Sequence, residues 1–201
     1  MELVAKGSQD IYLTGNPQIT FFKHLYKRHT NFSIESVEQT FSGDVNFGLK
    51  SKLDIKRSGD LLSQIILEIE IPKIHSSDNS VTWINSLGHA IIDEVEMSIG
   101  GQLIDKHYGE WLEIWSELSL DNSKQDGFKH MIGNFGTSSG NQGPLTLYIP
   151  LQFWFCRNIG LALPLISLQY HSIEIDIKFR KFDECWTNNS LSYYSAYKTS
   201  N

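Results

Sequence analysis

The chain has 201 residues, a formal net charge of −6, and hydrophobic and aromatic shares of 40% and 12%. That length fits one sizeable domain with an arm and is cramped for two, and the apolar content can bury a core, which excludes general disorder. The negative charge sets the molecule against nucleic-acid phosphates and excludes strong nucleic-acid binding; the local exception, Lys23, His24, Lys27, Arg28 and His29, reads as a solvated basic arm.

Cys156 and Cys185 are the only cysteines, too few for a disulfide scaffold or a thiolate metal cage. The first residues, MELVAKGSQD, lack the apolar stretch of roughly 7 to 15 residues that a secretory signal needs. No apolar run approaches the roughly 20 residues of a membrane span. A cytosolic product that stays soluble until it meets partners is expected.

Residues 10–32 read DIYLTGNPQITFFKHLYKRHTNF, in which Gly15, Asn16 and Pro17 supply a turn and no clean strand or helix period follows. This predicts an arm, residues 1–32, whose Tyr12, Phe21, Phe22 and Tyr26 need burial on the parent domain or on a neighbour. Strand pattern follows, with Val37 and Phe41 on one side, then Val45, Phe47 and Leu49 after a Gly43 turn, continued by Leu53 and Ile55. After Ser58 and Gly59 comes a strand over residues 61–71, in which Leu67, Ile69 and Ile71 alternate with Glu68 and Glu70. Residues 73–80 are loop-like, and residues 91–99 set Val95, Met97 and Ile99 against Glu94, Glu96 and Ser98. Gly100 and Gly101 predict a tight hairpin with a return strand from Gln102.

Trp111, Ile114, Trp115 and Leu118 recur at helical spacing and predict one short amphipathic helix, its aromatic stripe packed in the core. The stretch from there to Gly143, rich in Gly, Ser, Asn and Asp, reads as a long excursion. Alternation returns at residues 145–155, where Pro150 implies a bulge or an edge. An apolar run over residues 161–168 is interrupted by Pro164, and residues 171–180 form the clearest strand, Ile173, Ile175, Ile177 and Phe179 facing away from Glu174, Asp176, Lys178 and Arg180. Residues 183–201 read as a poorly ordered polar tail. Roughly seven strands, long loops and one helix predict an all-β, antiparallel β-sandwich; pattern alone leaves jelly-roll and immunoglobulin-like versions open, and the missing Cys, Trp, Cys framework lowers the second.

Four blocks carry a resemblance. The arm segment, KRSGDLLSQIILEIEIP from Lys56, IDEVEMSIGGQLIDKHYGEWLEIW from Ile92 and GLALPLISLQYHSIEIDIKF from Gly160 are ordered and spaced as in the major capsid proteins of large nucleocytoplasmic DNA viruses, of the phycodnavirus, iridovirus and mimivirus kind. The resemblance runs over residues 3–179. It implies a jelly roll of about seven or eight strands, residues 33–182, the first of two in the family, with three chains making a pseudo-hexagonal capsomer that tiles a shell. Implied partners are other copies, full-length major capsid protein and minor capsid proteins, near an inner viral membrane, in a virion assembled in the host cytoplasm. No small-molecule substrate or cofactor is implied. Because the family's arm lies at the capsomer base, Tyr12, Asn16, Pro17, Phe21, Phe22 and Arg28 are the candidate interface residues. The chain departs from the family after Phe179, where the closing apolar strand is missing and Leu191, Tyr193 and Tyr197 give a weak alternation. A fragment, a split-gene product, or a short paralogue that completes its sandwich with another subunit would each fit, and an unpaired sheet edge would result.

Chemistry is poorly represented. Seven histidines are scattered, and no His-x-His pair of the cupin type occurs, which argues against a metal site even if His107 and His171 converge. There is no G-x-S-x-G nucleophile elbow, and Glu68 with Glu70, and Glu94 with Glu96, read as a solvated strand face and not as carboxylate dyads. Gly100 and Gly101 lack the Lys and Ser or Thr of a phosphate loop. The Asn31 and Asn188 glycosylation matches read as chance in a cytosolic product. A shell subunit is the leading expectation and an enzyme is not expected. The alternative is a jelly-roll carbohydrate-binding module with sugar contacts in the excursion before Gly143, and a cupin-like enzyme ranks last.

Overall fold

The computed structural model describes residues 31–74, 81–135 and 144–188. The chain divides into two units, residues 1–37 and 38–201. Of the first, residues 31–37 are described, and they form neither strand nor helix.

The second unit is built on a four-stranded antiparallel sheet. Strands β1 (Lys50–Asp54), β5 (Ile92–Ile99), β6 (Gln102–Tyr108) and β9 (Ile173–Phe179) lie in the order β1-β9-β5-β6. The alternation along β9 does what a period of two requires: Ile173, Ile175, Ile177 and Phe179 are buried, and across the ladder Val95 meets Ile177 and Met97 meets Ile175 on the same dry face. Between β5 and β6, Gly100 and Gly101 both take positive φ, 60° and 80°, the pair of left-handed residues that a two-residue hairpin turn demands. The register then slips at Met97 and Ser98, so that Ile104 is the extra residue of a bulge.

On the wet face of this sheet the charged residues interlock. Glu96 stands directly opposite Asp176, a repulsive cross-strand pair. Lys50 answers it by reaching Glu96 at 2.6 Å and Asp176 at 3.3 Å, while Lys106 reaches Glu94 at 2.7 Å and Glu96 at 3.0 Å. Lys178 to Asp93 and Lys52 to Glu174 extend the lattice. Each exposed pair contributes little by itself, about 0 to 1 kcal/mol, so the lattice chiefly removes like-charge repulsion.

Opposed to the sheet is a two-stranded ribbon, β3 (Ile66–Ile71) with β7 (Leu145–Pro150), whose Leu67, Ile71, Leu147 and Ile149 join the inner residues of β5 and β9 in one core. Phe153 and Phe155, stacked at 5.7 Å and fully buried, plug it. Two smaller ribbons close the ends: β2 (Leu61–Leu62) with β8 (Leu163–Pro164), and β4 (Val81–Trp83) with β10 (Trp186–Asn188). The last falls inside the segment expected to be a polar tail, so order extends through Asn188: Cys185 is fully buried and Trp186 pairs with Trp83. Residues 189–201 lie outside the described residues.

Several expected boundaries move. Val37, Phe41 and Val45 belong to no strand; among the described residues the only β-bridge before β1 runs from Ser42 to Lys52, and a turn at Phe47 and Gly48 redirects the chain. Phe47 instead packs with Trp83 and Phe182, at 6.2 and 5.4 Å. The run over residues 61–71 is two strands. Pro150 ends β7 opposite Ile66, and the chain beyond it forms a one-turn 3-10 helix, Trp154–Cys156, in place of a continued strand.

The largest correction concerns helices, of which three are described where one was expected: α1 (Leu87–Ala90), α2 (Gly109–Ser119) and α3 (Asn122–Ile132). The third occupies what read as excursion. Its half-buried or buried residues, Gln125, Phe128, Lys129, Met131 and Ile132, follow helical spacing, and the helix packs toward β7 and α1. It stops because Gly133 turns left-handed at φ 76°, letting the Gly133 and Asn134 amides reach the His130 and Lys129 carbonyls, a Schellman ending. Among the described residues no helix is long and apolar enough to cross a membrane.

Candidate functional site: a polar cleft and an outward apolar helix face

A cleft of about 410 Å³ lies where α1, the start of α2 and the end of α3 meet, and is lined by Asn85, Ser86, His89, Glu110, Glu113, Asn134 and Arg180 among others. Glu113 organises it. Its carboxylate accepts from Ser86 Oγ at 2.9 Å and from His89 Nδ1 at 2.5 Å, and the Asn134 side-chain amide donates to Ser86 Oγ at 2.9 Å. Ser86 is held left-handed at φ 52°, the one non-glycine residue so placed among the described residues. Arg180 pairs with Glu110 at the rim.

The residue types invite comparison with a serine, histidine and acid triad, and the wiring refutes it. In such a triad the serine hydroxyl gives its proton to the imidazole and the carboxylate orients the far ring nitrogen. Here one carboxylate takes both protons, so Ser86 is tied down and not activated. His89 is 3% exposed and burial holds its pKa below the usual histidine value, against the opposing pull of Glu113. The cluster therefore acts as a polar rivet joining α1, α2 and the end of α3.

His107, on β6, is 5% exposed, packs 4.7 Å from the Phe153 ring, and has an Nε2 with no hydrogen-bond partner. Burial drives its pKa down to about 4. It does not meet His171, which sits against Gly100 at the turn end of the hairpin, five residues or about 16 Å of strand from His107. No group of three or more His, Cys, Asp and Glu side chains converges among the described residues. Glu94 and Glu96 lie in the lysine lattice, and Glu68 accepts from the Tyr148 hydroxyl at 3.3 Å. Burial pushes the thiols of Cys156 and Cys185 up to about 11.

The face of α2 expected in the core points outward. Only Gly109 and Leu112 of this helix are buried; Trp111 is 37% exposed, Ile114 52% and Leu118 78%. Trp111 and Trp115 lie 5.7 Å apart, and the Arg157 guanidinium covers Trp115 at 4.4 Å. Of residues 121–143, to which the sugar-binding alternative assigned its contacts, Asn122–Ile132 form α3 and residues 136–143 lie outside the described residues. The candidate interface residues Tyr12, Asn16, Pro17, Phe21, Phe22 and Arg28 lie outside the described residues, as do His24, His29 and His75.

The antiparallel sandwich falls in the class of its solved structural neighbours, the viral capsid jelly rolls. The solved structure of PBCV-1 VP54, fitted into a reconstruction of the virophage Sputnik, superposes with a TM-score of 0.69 at 36% identity, over 80% of this chain and 38% of that one. The chain belongs to the major capsid protein family, for the family model described as "Major capsid protein N-terminus" matches residues 20–200. It is 53% identical to the "Major capsid protein" of Pyramimonas orientalis virus, over 89% of this chain and 46% of that protein. It is 46% identical to "Capsid protein 1" of Acanthamoeba polyphaga mimivirus, over 92% of this chain and 35% of that protein. The chain thus spans less than half the length of these relatives.

Proposed function

We propose that the chain belongs to a structural subunit of an icosahedral viral capsid, which self-associates into trimeric pseudo-hexagonal capsomers. The observation that carries this reading is the family match over residues 20–200, nearly the whole chain. The work of such a subunit is burial of surface between symmetric copies, with many modest contacts adding through multivalency. An outward helix face bearing Trp111, Ile114 and Leu118 is the kind of surface that association would cover. Enzymatic activity has no part in the reading, and the tethering of Ser86 by Glu113 supports leaving it out.

In this reading the virion shell is the site of residence and the host cytoplasm the place of synthesis and assembly. Partners are further copies, full-length major capsid proteins and minor capsid proteins, with the arm residues Tyr12, Asn16, Pro17, Phe21, Phe22 and Arg28 at the base of the capsomer, near an inner viral membrane. Light scattering on the purified chain, alone and co-expressed with a full-length family member, tests it. Trimers, larger assemblies or co-assembly are expected; a chain that stays monomeric over the whole concentration range and is excluded from the partner's capsomers would remove the proposal.

A further inference from the structure

Helix α2 is amphipathic in the wrong sense for a helix that ends its packing within one subunit. Its apolar side chains Trp111, Ile114, Trp115 and Leu118 follow the spacing of a single stripe, and the most exposed of them stands in the last turn. An exposed apolar stripe of this kind marks a surface that something covers.

Charge says what kind of partner fits. The helix reads GEWLEIWSELS: three glutamates and no lysine or arginine. Its last turn carries no basic residue, so the carbonyl end of the helix, beside Leu118, offers unscreened negative potential. Pairing α2 with α2 of another copy would bring acid to acid. The complementary partner is apolar and aromatic in its anchors and cationic between them, and this chain contains such a segment: residues 21–29 read FFKHLYKRH. Arg157 resting on Trp115 is the same chemistry already realised at one point of the stripe.

We propose that the outward stripe of α2 is the docking site for the amino-terminal segment, residues 18–32, of a second copy of the chain. The proposal rests on the self-association reading above and names one of its contacts. Phe21, Phe22 and Tyr26 supply the apolar burial, and Lys23, Lys27 and Arg28 face Glu117 and the carbonyl end of the helix.

The test uses the full chain and a fluorescent peptide of residues 18–32, QITFFKHLYKRHTNF, followed by anisotropy at protein concentrations below self-association. Saturable binding is expected, weakened by added salt, lost when Lys23, Lys27 and Arg28 of the peptide are changed to Glu, and about tenfold weaker to Ile114→Glu and to Leu118→Glu. Because both positions face solvent, these variants should unfold like the parent, and that is checked first. Binding of the charge-reversed peptide to Glu117→Lys would confirm the charge pairing. Absence of saturable binding by the parent, or binding indifferent to Ile114→Glu and Leu118→Glu, overturns the proposal. So does peptide binding that appears only after the chain's own Lys23, Lys27 and Arg28 are reversed, which would place the contact within one copy. Capsomers that still form from the Leu118→Glu chain overturn this contact and leave the capsid reading standing; a chain that binds peptide and never assembles does the reverse.

Discussion

His107 makes the stability of the domain depend on pH in a way that can be worked out from its surroundings. It is buried against Phe153 with one ring nitrogen unpartnered, and burial, helped by the Arg157 charge and opposed by Asp105, lowers its pKa from 6.5 to about 4. Above pH 6.5 the imidazole is neutral in both folded and unfolded chains and full stability is present. As pH falls toward 4 the unfolded chain takes up a proton that the folded one refuses, so stability is lost across that window and no further below it. A displacement of about two and a half pH units corresponds to about 3 kcal/mol in all, of which about 2 kcal/mol is gone by pH 5. His89, also lowered by burial, adds a loss of the same sign. Exposed carboxylates titrate in the same range, so the informative quantity is the difference between parent and His107→Leu. Urea unfolding at about pH 7.5, 6 and 5 should show the parent losing about 2 kcal/mol more than the variant, with unchanged m values. Parallel pH profiles for the two proteins would refute the idea that His107 is held neutral by burial.

Other expectations follow from single features. Ile175→Ala, at the fully buried centre of β9, should cost about 2 to 5 kcal/mol in urea unfolding, while Leu118→Ala should stay within about 0.5 kcal/mol. At the hairpin, Gly101→Ala meets no neighbour yet must sit at φ 80°, so it should cost about 1 kcal/mol, and Gly101→Asn much less. Glu113→Leu, which strips the acceptor from both Ser86 and His89, should cost about 2 to 4 kcal/mol and raise hydrogen exchange at α1 and α2 together; a change confined to α2 would contradict the rivet. Both thiols are pushed up to about 11, so half-buried Cys156 should react slowly with a disulfide reagent at neutral pH, and fully buried Cys185 only at the rate of unfolding.

Elements whose pattern had only one physical meaning were readable from sequence. Strand β9 alternates without a break because one face of its sheet is buried and the other is wet, and Gly100 with Gly101 admits little but a tight turn. Periodicity located α2 but not the direction it faces: a stripe shows where apolar residues align, and here the core takes Leu112 from the opposite side. Helix α3 was missed because its inward positions mix Gln125 and Lys129 with Phe128, Met131 and Ile132, its first two turns carry no apolar residue before Phe128, and Gly127 sits mid-helix. Its punctuation was present, with Asp121 before it and Gly133 after it. Val37 and Phe41 alternate as a strand would, and among the described residues nothing pairs with them. The polar rivet was beyond reach, since Ser86 and Asn134 stand 48 positions apart and only the packed helices bring them together.

The lattice of lysines and carboxylates on the four-stranded sheet has a consequence for growth of an assembly. Every lysine there already has its acid, so a neighbour laid flat on that wall would strip water from satisfied ions and receive no new attraction in return. In the capsid role proposed above, a broad flank that rewards no visitor would keep subunits from stacking at random, and would leave adhesion to the narrow apolar flank where orientation can be controlled.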